Sequence, residues 1–302
     1  MVIFQLNQRR GHKFIMSGMM FGFCMARTVT CIMRIVWATR PFNVRIALAA
    51  QIFVAAGVVL LFVINLIFAQ RIIRASSPHS GWHPLMSLFF KAIVAIIAIS
   101  LIMLITSVVQ SAYTLNANTH RIDRDIQLYG QTLFAVISFL PIPLVILGLV
   151  IPRKTRVEKF GSGRFRSKIY ILLSAAVLLC LGATFRCGTS YLTPRPRSDP
   201  AWYHSKACFY IFNFVVEILV IFLYIVIRVD QRFWVPNNSH MWGDYSRSRP
   251  GHSNIGPDGK NESVGRLQNI LSEEEVFDEQ PSPKTRPVSQ AKDEEAAVGT
   301  AA

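Results

Sequence analysis

Six apolar runs divide the chain, lying roughly at Phe14–Trp37, Ile46–Ala69, Leu88–Ala112, Leu128–Ile151, Ile169–Leu192 and Ala207–Val229. About 18 or more consecutive apolar residues are enough to cross the hydrocarbon of a bilayer as a helix. Within lipid the backbone must satisfy its own polar groups, and a helix does so. The pattern therefore predicts an all-α, multi-pass transmembrane helix bundle over residues 14–235, with six spans in this chain. Between the runs lie polar connectors, among them Arg74–Pro84, Tyr113–Gln127 and the basic stretch 152–168, which read as loops. The runs are flanked by a short basic segment, 1–13, and by residues 236–302. The latter are rich in Pro, Gly, Ser, Asn and acid and have no sustained apolar period, so they read as a disordered tail.

Polar residues inside the runs are few, and they single out candidate chemistry. Glu217 lies near the middle of the sixth run. An ionised carboxylate there is costly unless paired. Arg27 in the first run and Arg186 in the fifth fall at compatible depth, so Glu217 with Arg27 or Arg186 forms an expected intramembrane charge cluster. Cys24, Arg27, Cys31 and Arg34 recur at helical spacing and share one side of their helix. Arg27, the deeper arginine, should face the bundle interior. Asn65 and Asn213 are expected to hydrogen-bond across helices. Pro141 and Pro143 interrupt the fourth run and predict a kink, a candidate hinge, because each removes a backbone donor. The segment His120-Arg121-Ile122-Asp123-Arg124-Asp125 has the right atoms for a ligand site, but reads first as a solvated, self-neutralising loop.

Composition agrees with a membrane assignment. The chain is 52% hydrophobic and 16% charged, with a mean hydropathy of +0.36. Soluble domains are usually about a quarter charged. The formal net charge is +15 and unevenly spread: residues 236–302 hold 7 Lys+Arg against 11 Asp+Glu, so the remainder carries +19. These bases sit in short connectors, as in a membrane protein with positive inner loops, which disfavours a nucleic-acid partner. The densest connector, 152–168, carries seven Lys+Arg. The rule places this connector, the N-terminus and the tail in the cytosol of a cell whose plasma membrane or an endomembrane holds the protein. On that side Arg153, Lys154, Arg156, Arg164, Arg166, Lys168, Arg228 and Arg232 are expected to face lipid headgroups or a cytosolic partner. In the tail, Ser272 and Ser282 read as phosphoacceptors, SVGRLQNILSEEEVF (263–277) as a transient amphipathic helix, and the sequons at Asn237 and Asn261 as unglycosylated.

No catalytic, metal or cofactor motif is expected. The sequence lacks GxSxG, HExxH and Walker patterns, and its seven histidines lie outside the apolar runs. The five cysteines make no CxxC or zinc spacing, although Cys187 and Cys208 fall near one membrane face, where a disulfide between them would be feasible.

Nine blocks carry a family resemblance: FGFCMAR (21–27), RIVW (34–37), AAQIFVAAGV (49–58), NLIFAQRIIRA (65–75), GWH (81–83), RIDRDIQLYGQT (121–132), FGSGRFRSK (160–168), SKACFYIFNFVVEI (205–218) and RVDQRFWVPNNS (228–239). Together they resemble an uncharacterised fungal family of seven-span integral membrane proteins, a domain of unknown function sometimes labelled receptor-like. The resemblance implies one further span ahead of residue 14 and an outside-to-inside chain direction. In architecture alone the plan is also similar to fungal RTA-type lipid-translocating exporters. The expected function is a non-enzymatic, receptor-like or sensory membrane protein, with a transporter of lipids or small amphiphiles as the alternative and a structural membrane protein as the third reading.

Overall fold

The computed structural model describes residues 5, 15–40, 42–77, 81–150, 157–158, 160–192, 203, 205–235, 239 and 245. Nearly all of segment 1–13 and of tail 236–302 lies outside these residues, as do Arg153, Lys154 and Arg156. The expectations of disorder, of a transient helix, of the serine phosphoacceptors and of unglycosylated sequons therefore fall outside them.

The described residues form helices α1 (Ile15–Thr39), α2 (Val44–Ser76), α3 (Pro84–Tyr113), α4 (Ala117–Phe139), α5 (Pro141–Val150), α6 (Phe165–Tyr191), α7 (Lys206–Tyr210), α8 (Val216–Val226) and α9 (Val229–Arg232). A π-helical turn, Ile211–Val215, joins α7 to α8. Six stretches are long and apolar enough to cross a membrane: α1, α2, α3, α4 with α5, α6, and α7 through α8. Large apolar side chains point outward from the bundle, including Leu88, Ile99, Ile102, Phe222 and Val226. In water such a surface would be an aggregation liability; against lipid chains it is the expected exterior.

Helix α2 is the centre of the packing. It buries Leu61, Phe62, Ile64, Leu66, Phe68 and Ile72 against its neighbours. Local signals set several helix starts. Pro84 opens α3, and His83 Nδ1 accepts from the Leu85 amide at 3.3 Å. Ser205 Oγ accepts from the Cys208 amide at 3.2 Å and caps α7. These side chains satisfy amides that have no intrahelical partner.

The fourth span departs from expectation at its start. Residues 117–127 are helical rather than a loop, because Asn116 caps the segment by accepting from the Asn118 amide at 3.0 Å. Its polar residues then project beyond the apolar stretch: His120, Arg121, Arg124 and Asp125 are exposed. Asp123 is the exception, buried against α3, where Ser107 Oγ donates to the Asp123 carbonyl at 2.7 Å. The fourth span breaks at Leu140. Pro141 and Pro143 offer no amide to the Ile137 and Phe139 carbonyls, which ends α4. Pro141 is buried and Pro143 exposed.

Candidate functional site

The sequence-singled charges Arg27, Arg186 and Glu217 come together. Glu217 is 1% exposed and lies two residues past the π-turn. Its Oε2 forms an ion pair with Arg27 Nη2. Arg186 Nη1 donates to its Oε1 at a long 3.4 Å. Two guanidinium groups thus share one carboxylate, which leaves the buried trio with one excess positive charge. Arg27 Nε and Nη1 find no hydrogen-bond acceptor among the described residues. Instead the guanidinium lies 5.2 Å from the Phe23 ring centroid and 5.3 Å from that of Phe214. Cation–π attraction strengthens when the ion is desolvated, as here. On a third side it packs against Gly57, where a Cβ would come within 3.3 Å of Arg27 Cζ.

Two packing features fix the carboxylate's position. The π-turn widens the helix by one residue per turn, and such turns recur at functional positions. From this turn Asn213 Nδ2 donates back to the Phe209 carbonyl of α7 at 2.9 Å. Asn213 thus bonds inside its own helix rather than across to another. Gly182 of α6 meets this turn so closely that an added Cβ would lie 2.9 Å from the Phe212 carbonyl oxygen. Beside it Phe185 and Phe212 stack with centroids 3.9 Å apart. The other singled asparagine does reach across: Tyr224 Oη donates to Asn65 Oδ1.

Above the trio lies a cavity of about 460 Å³ between α2, α3, α4, α6 and the sixth span. Val58, Phe62, Leu104 and Phe134 supply apolar wall; Arg124, Gln127, Gln131, Thr189 and Ser190 supply polar wall; Arg186 belongs to both cavity and trio. An apolar chamber with a few convergent polar groups is the ordinary form of a small-molecule site. Sequence reasoning missed the participation of Gln131 and Gly57, and it set the ligand reading of the segment that holds Arg124 below that of a solvated loop.

The opposite end of the bundle is closed. There Phe68 packs on Phe233 at 4.4 Å and on Tyr224 at 5.8 Å, and Phe160 on Phe233 at 6.2 Å. Arg71 Nη1 donates to the Phe233 carbonyl. Gly161 adopts φ 55°, and a Cβ there would collide with the Arg232 carbonyl, so the segment before α6 lies directly on the end of the sixth span. Ser162 N donates to the Gln231 carbonyl at 3.1 Å in the same contact. Glu158 is fully buried; its amide donates to the Ala75 carbonyl at 3.0 Å and its Oε1 accepts from the Tyr245 amide at 2.7 Å. Burial pushes the Tyr245 phenol above its ordinary value, opposed by Arg74 and Arg71 and by a hydrogen bond from Arg74.

Of the basic residues expected at this end, Arg164, Arg166 and Arg228 are exposed and Arg232 is partly so. Arg228 adopts φ 53° and lies 4.0 Å from Asp230 Oδ2. Arg232 Nε donates to the Ile227 carbonyl at 3.0 Å. Lys168 corrects the expectation. It is fully buried, its Nζ donating to the Phe160 carbonyl and lying 4.1 Å from that ring's centroid, so it holds the pre-α6 segment instead of meeting headgroups. No disulfide joins Cys187 to Cys208. Cys24 and Cys31 are exposed on the bundle exterior while Arg27 between them turns inward. Among the described residues, no three His, Cys, Asp or Glu side chains converge as a metal site.

Six apolar helices with lipid-compatible exteriors define a multi-span helical membrane protein. Residues 162–234 match a family described as a protein of unknown function (DUF3112). The matched stretch runs from just before α6 to just after α9 and carries Gly182, Arg186, the π-turn and Glu217, whereas Arg27 and the α2–α4 walls of the cavity lie outside it. No curated protein and no solved structure matches the chain significantly.

Proposed function

We propose that the protein is a receptor-like membrane protein that binds a small amphiphile in the α2–α4–α6 cavity and reports its occupancy at the basic end. The observation that carries this reading is the double role of Arg186, which lines the cavity and also holds Glu217 through a long contact. A ligand that takes Arg186 weakens its grip on Glu217, at the head of α8. That helix continues to Tyr224 and, past the left-handed Arg228, to the Phe233 contacts at the far end. Orientation with that end in the cytosol, a cytosolic partner on 152–168 and the tail, and the fungal seven-span plan all belong to this reading. So does a non-enzymatic role; the supporting feature is a cavity whose polar groups suit holding a ligand.

The break at Leu140 favours one alternative, a transporter of lipids or amphiphiles in which Pro141 and Pro143 act as the hinge. Both readings are tested with the purified full chain in vesicles and a fluorescent fatty-acid analogue as probe. The receptor reading expects saturable binding, weakened about tenfold or more by Arg186→Gln through loss of a charge-assisted hydrogen bond. It also expects altered hydrogen exchange at 228–233 on binding, with no passage of probe into the vesicle. Passage abolished by Arg186→Gln would instead establish transport. Binding that is unaffected by Arg186→Gln would remove both readings from this cavity.

A further inference from the structure

A second cavity lies at the basic end, on the lipid-facing seam between α2 and α3. Its volume is about 570 Å³, and its lining includes Gln70 and Arg74 of α2, Trp82 before α3, and Ser87 and Lys91 of α3. Leu66, Ile67, Phe90 and Val94 extend it deeper along the seam. This site is separate from the α2–α4–α6 cavity and uses none of its residues.

Three observations bear on its occupant. First, Lys91 sits seven residues into α3, about 10 Å along the helix axis from Pro84. It is exposed on the bundle exterior and makes no ion pair or hydrogen bond among the described residues. A lysine at that depth facing lipid bends its ammonium toward the interface, the level at which lipid phosphates lie. Second, Arg74 Nε and Trp82 Nε1 are buried and without a hydrogen-bond acceptor among the described residues, although the Arg74 guanidinium lies 5.0 Å from the Trp82 ring centroid. A buried donor left without an acceptor is costly, so these two await one. Third, among the described residues the lining has two cations, neutral donors and no carboxylate, with an apolar groove running from them toward the bilayer centre. Charge at the interface followed by apolar surface along the membrane normal is the outline of a phospholipid.

We infer that the Arg74–Trp82–Lys91 cavity holds an anionic phospholipid of the adjoining leaflet, its phosphate between Lys91 and the Arg74 and Trp82 donors and one acyl chain along Leu66, Phe90 and Val94. Under the positive-inside orientation this is the cytosolic leaflet, where anionic lipids concentrate. The bound headgroup also lies against the cluster that holds Tyr245, since Arg74 serves both and Trp82 packs 5.1 Å from the Tyr245 ring.

The test is native mass spectrometry of the full chain, released from nanodiscs of phosphatidylserine and phosphatidylcholine with matched acyl chains. Preferential retention of phosphatidylserine is expected. Lys91→Gln should cut that preference about tenfold or more, because a hydrogen bond to a charged phosphate is lost, and Lys91→Arg should restore it. Val94→Trp, which fills the groove without altering charge, should lower retention of either lipid. Arg164→Gln, an exposed charge at the same end, should leave the preference intact. Equal retention of the two lipids overturns the assignment. So does a Lys91→Gln variant that keeps the preference, or an Arg164→Gln variant that loses as much, because headgroups would then be gathered by the basic end as a whole.

Discussion

At the scale of single residues, the question is how one carboxylate stabilises two guanidinium groups away from water. Taking an ion out of water costs several kcal/mol, and a partner repays this only in good geometry. Arg27 has the carboxylate, two aromatic faces and a glycine cradle; Arg186 has a 3.4 Å bond and a polar cavity. The two arginines are therefore unequal. Glu217→Gln leaves both without a counter-charge and should cost about 3–5 kcal/mol, the usual effect of breaking a buried pair. Arg186→Gln leaves Arg27 and Glu217 as a balanced pair and should cost much less. Thermal unfolding in detergent checks the order, and equal losses would show that the trio is not held together as a charge-sharing unit. The three charges stood out in the sequence because ionisable residues within apolar runs are expensive. The Phe23, Phe214 and Gly57 contacts did not, since they depend on how α1, α2 and the sixth span are rotated about their axes.

At the scale of elements, the π-turn decides where Glu217 points, and Gly182 decides whether α6 can approach that turn. The two glycines of α6 make a controlled comparison. Gly182→Ala puts a methyl group 2.9 Å from the Phe212 carbonyl oxygen, a backbone atom that cannot swing aside. The resulting overpacking should cost about 1–3 kcal/mol. Gly188→Ala meets nothing within 4 Å and should be neutral or stabilising by up to about 1 kcal/mol, from helix propensity alone. Unfolding midpoints of the two variants separate local packing from propensity; a destabilised Gly188→Ala with an unaffected Gly182→Ala would refute the close contact. The elements themselves were largely legible, because apolar length alone calls for six spans. Their ends were less so. Hydropathy stops where the hydrocarbon stops, whereas α2 runs on to Ser76 and α4 begins at Ala117. The π-turn left no trace in the pattern, because Asn213 and Glu217 are too few polar positions in that run to mark a change of period.

At the scale of the whole molecule, the two ends differ in kind. One holds an amphipathic cavity between the helices; at the other the interior is packed shut by aromatic rings and buried charges, and the second cavity opens only on the lipid-facing seam of α2 and α3. Among the described residues Tyr245 is the farthest along the chain, and it joins the closed end: its amide bonds to Glu158, and its ring meets Trp82 and, at 5.9 Å, Phe160. Two truncations separate this contact from the rest of the tail. Ending the chain after Val235 removes Tyr245 and with it the amide that Glu158 Oε1 accepts from. A lost hydrogen bond to a buried charged group costs about 1.5–3 kcal/mol, so the unfolding midpoint should fall and hydrogen exchange at 157–168 should rise. Ending it after Ser246 keeps the contact and should leave both measurements unchanged, while removing any partner that binds the distal tail. The same pair reads on signalling. If the proximal contact transmits cavity occupancy, the shorter chain loses the exchange response at 228–233 even where it still binds probe, and the longer chain keeps it. Equal behaviour of the two truncations would mean that Tyr245 rests on the closed end without contributing to its stability or to the relay.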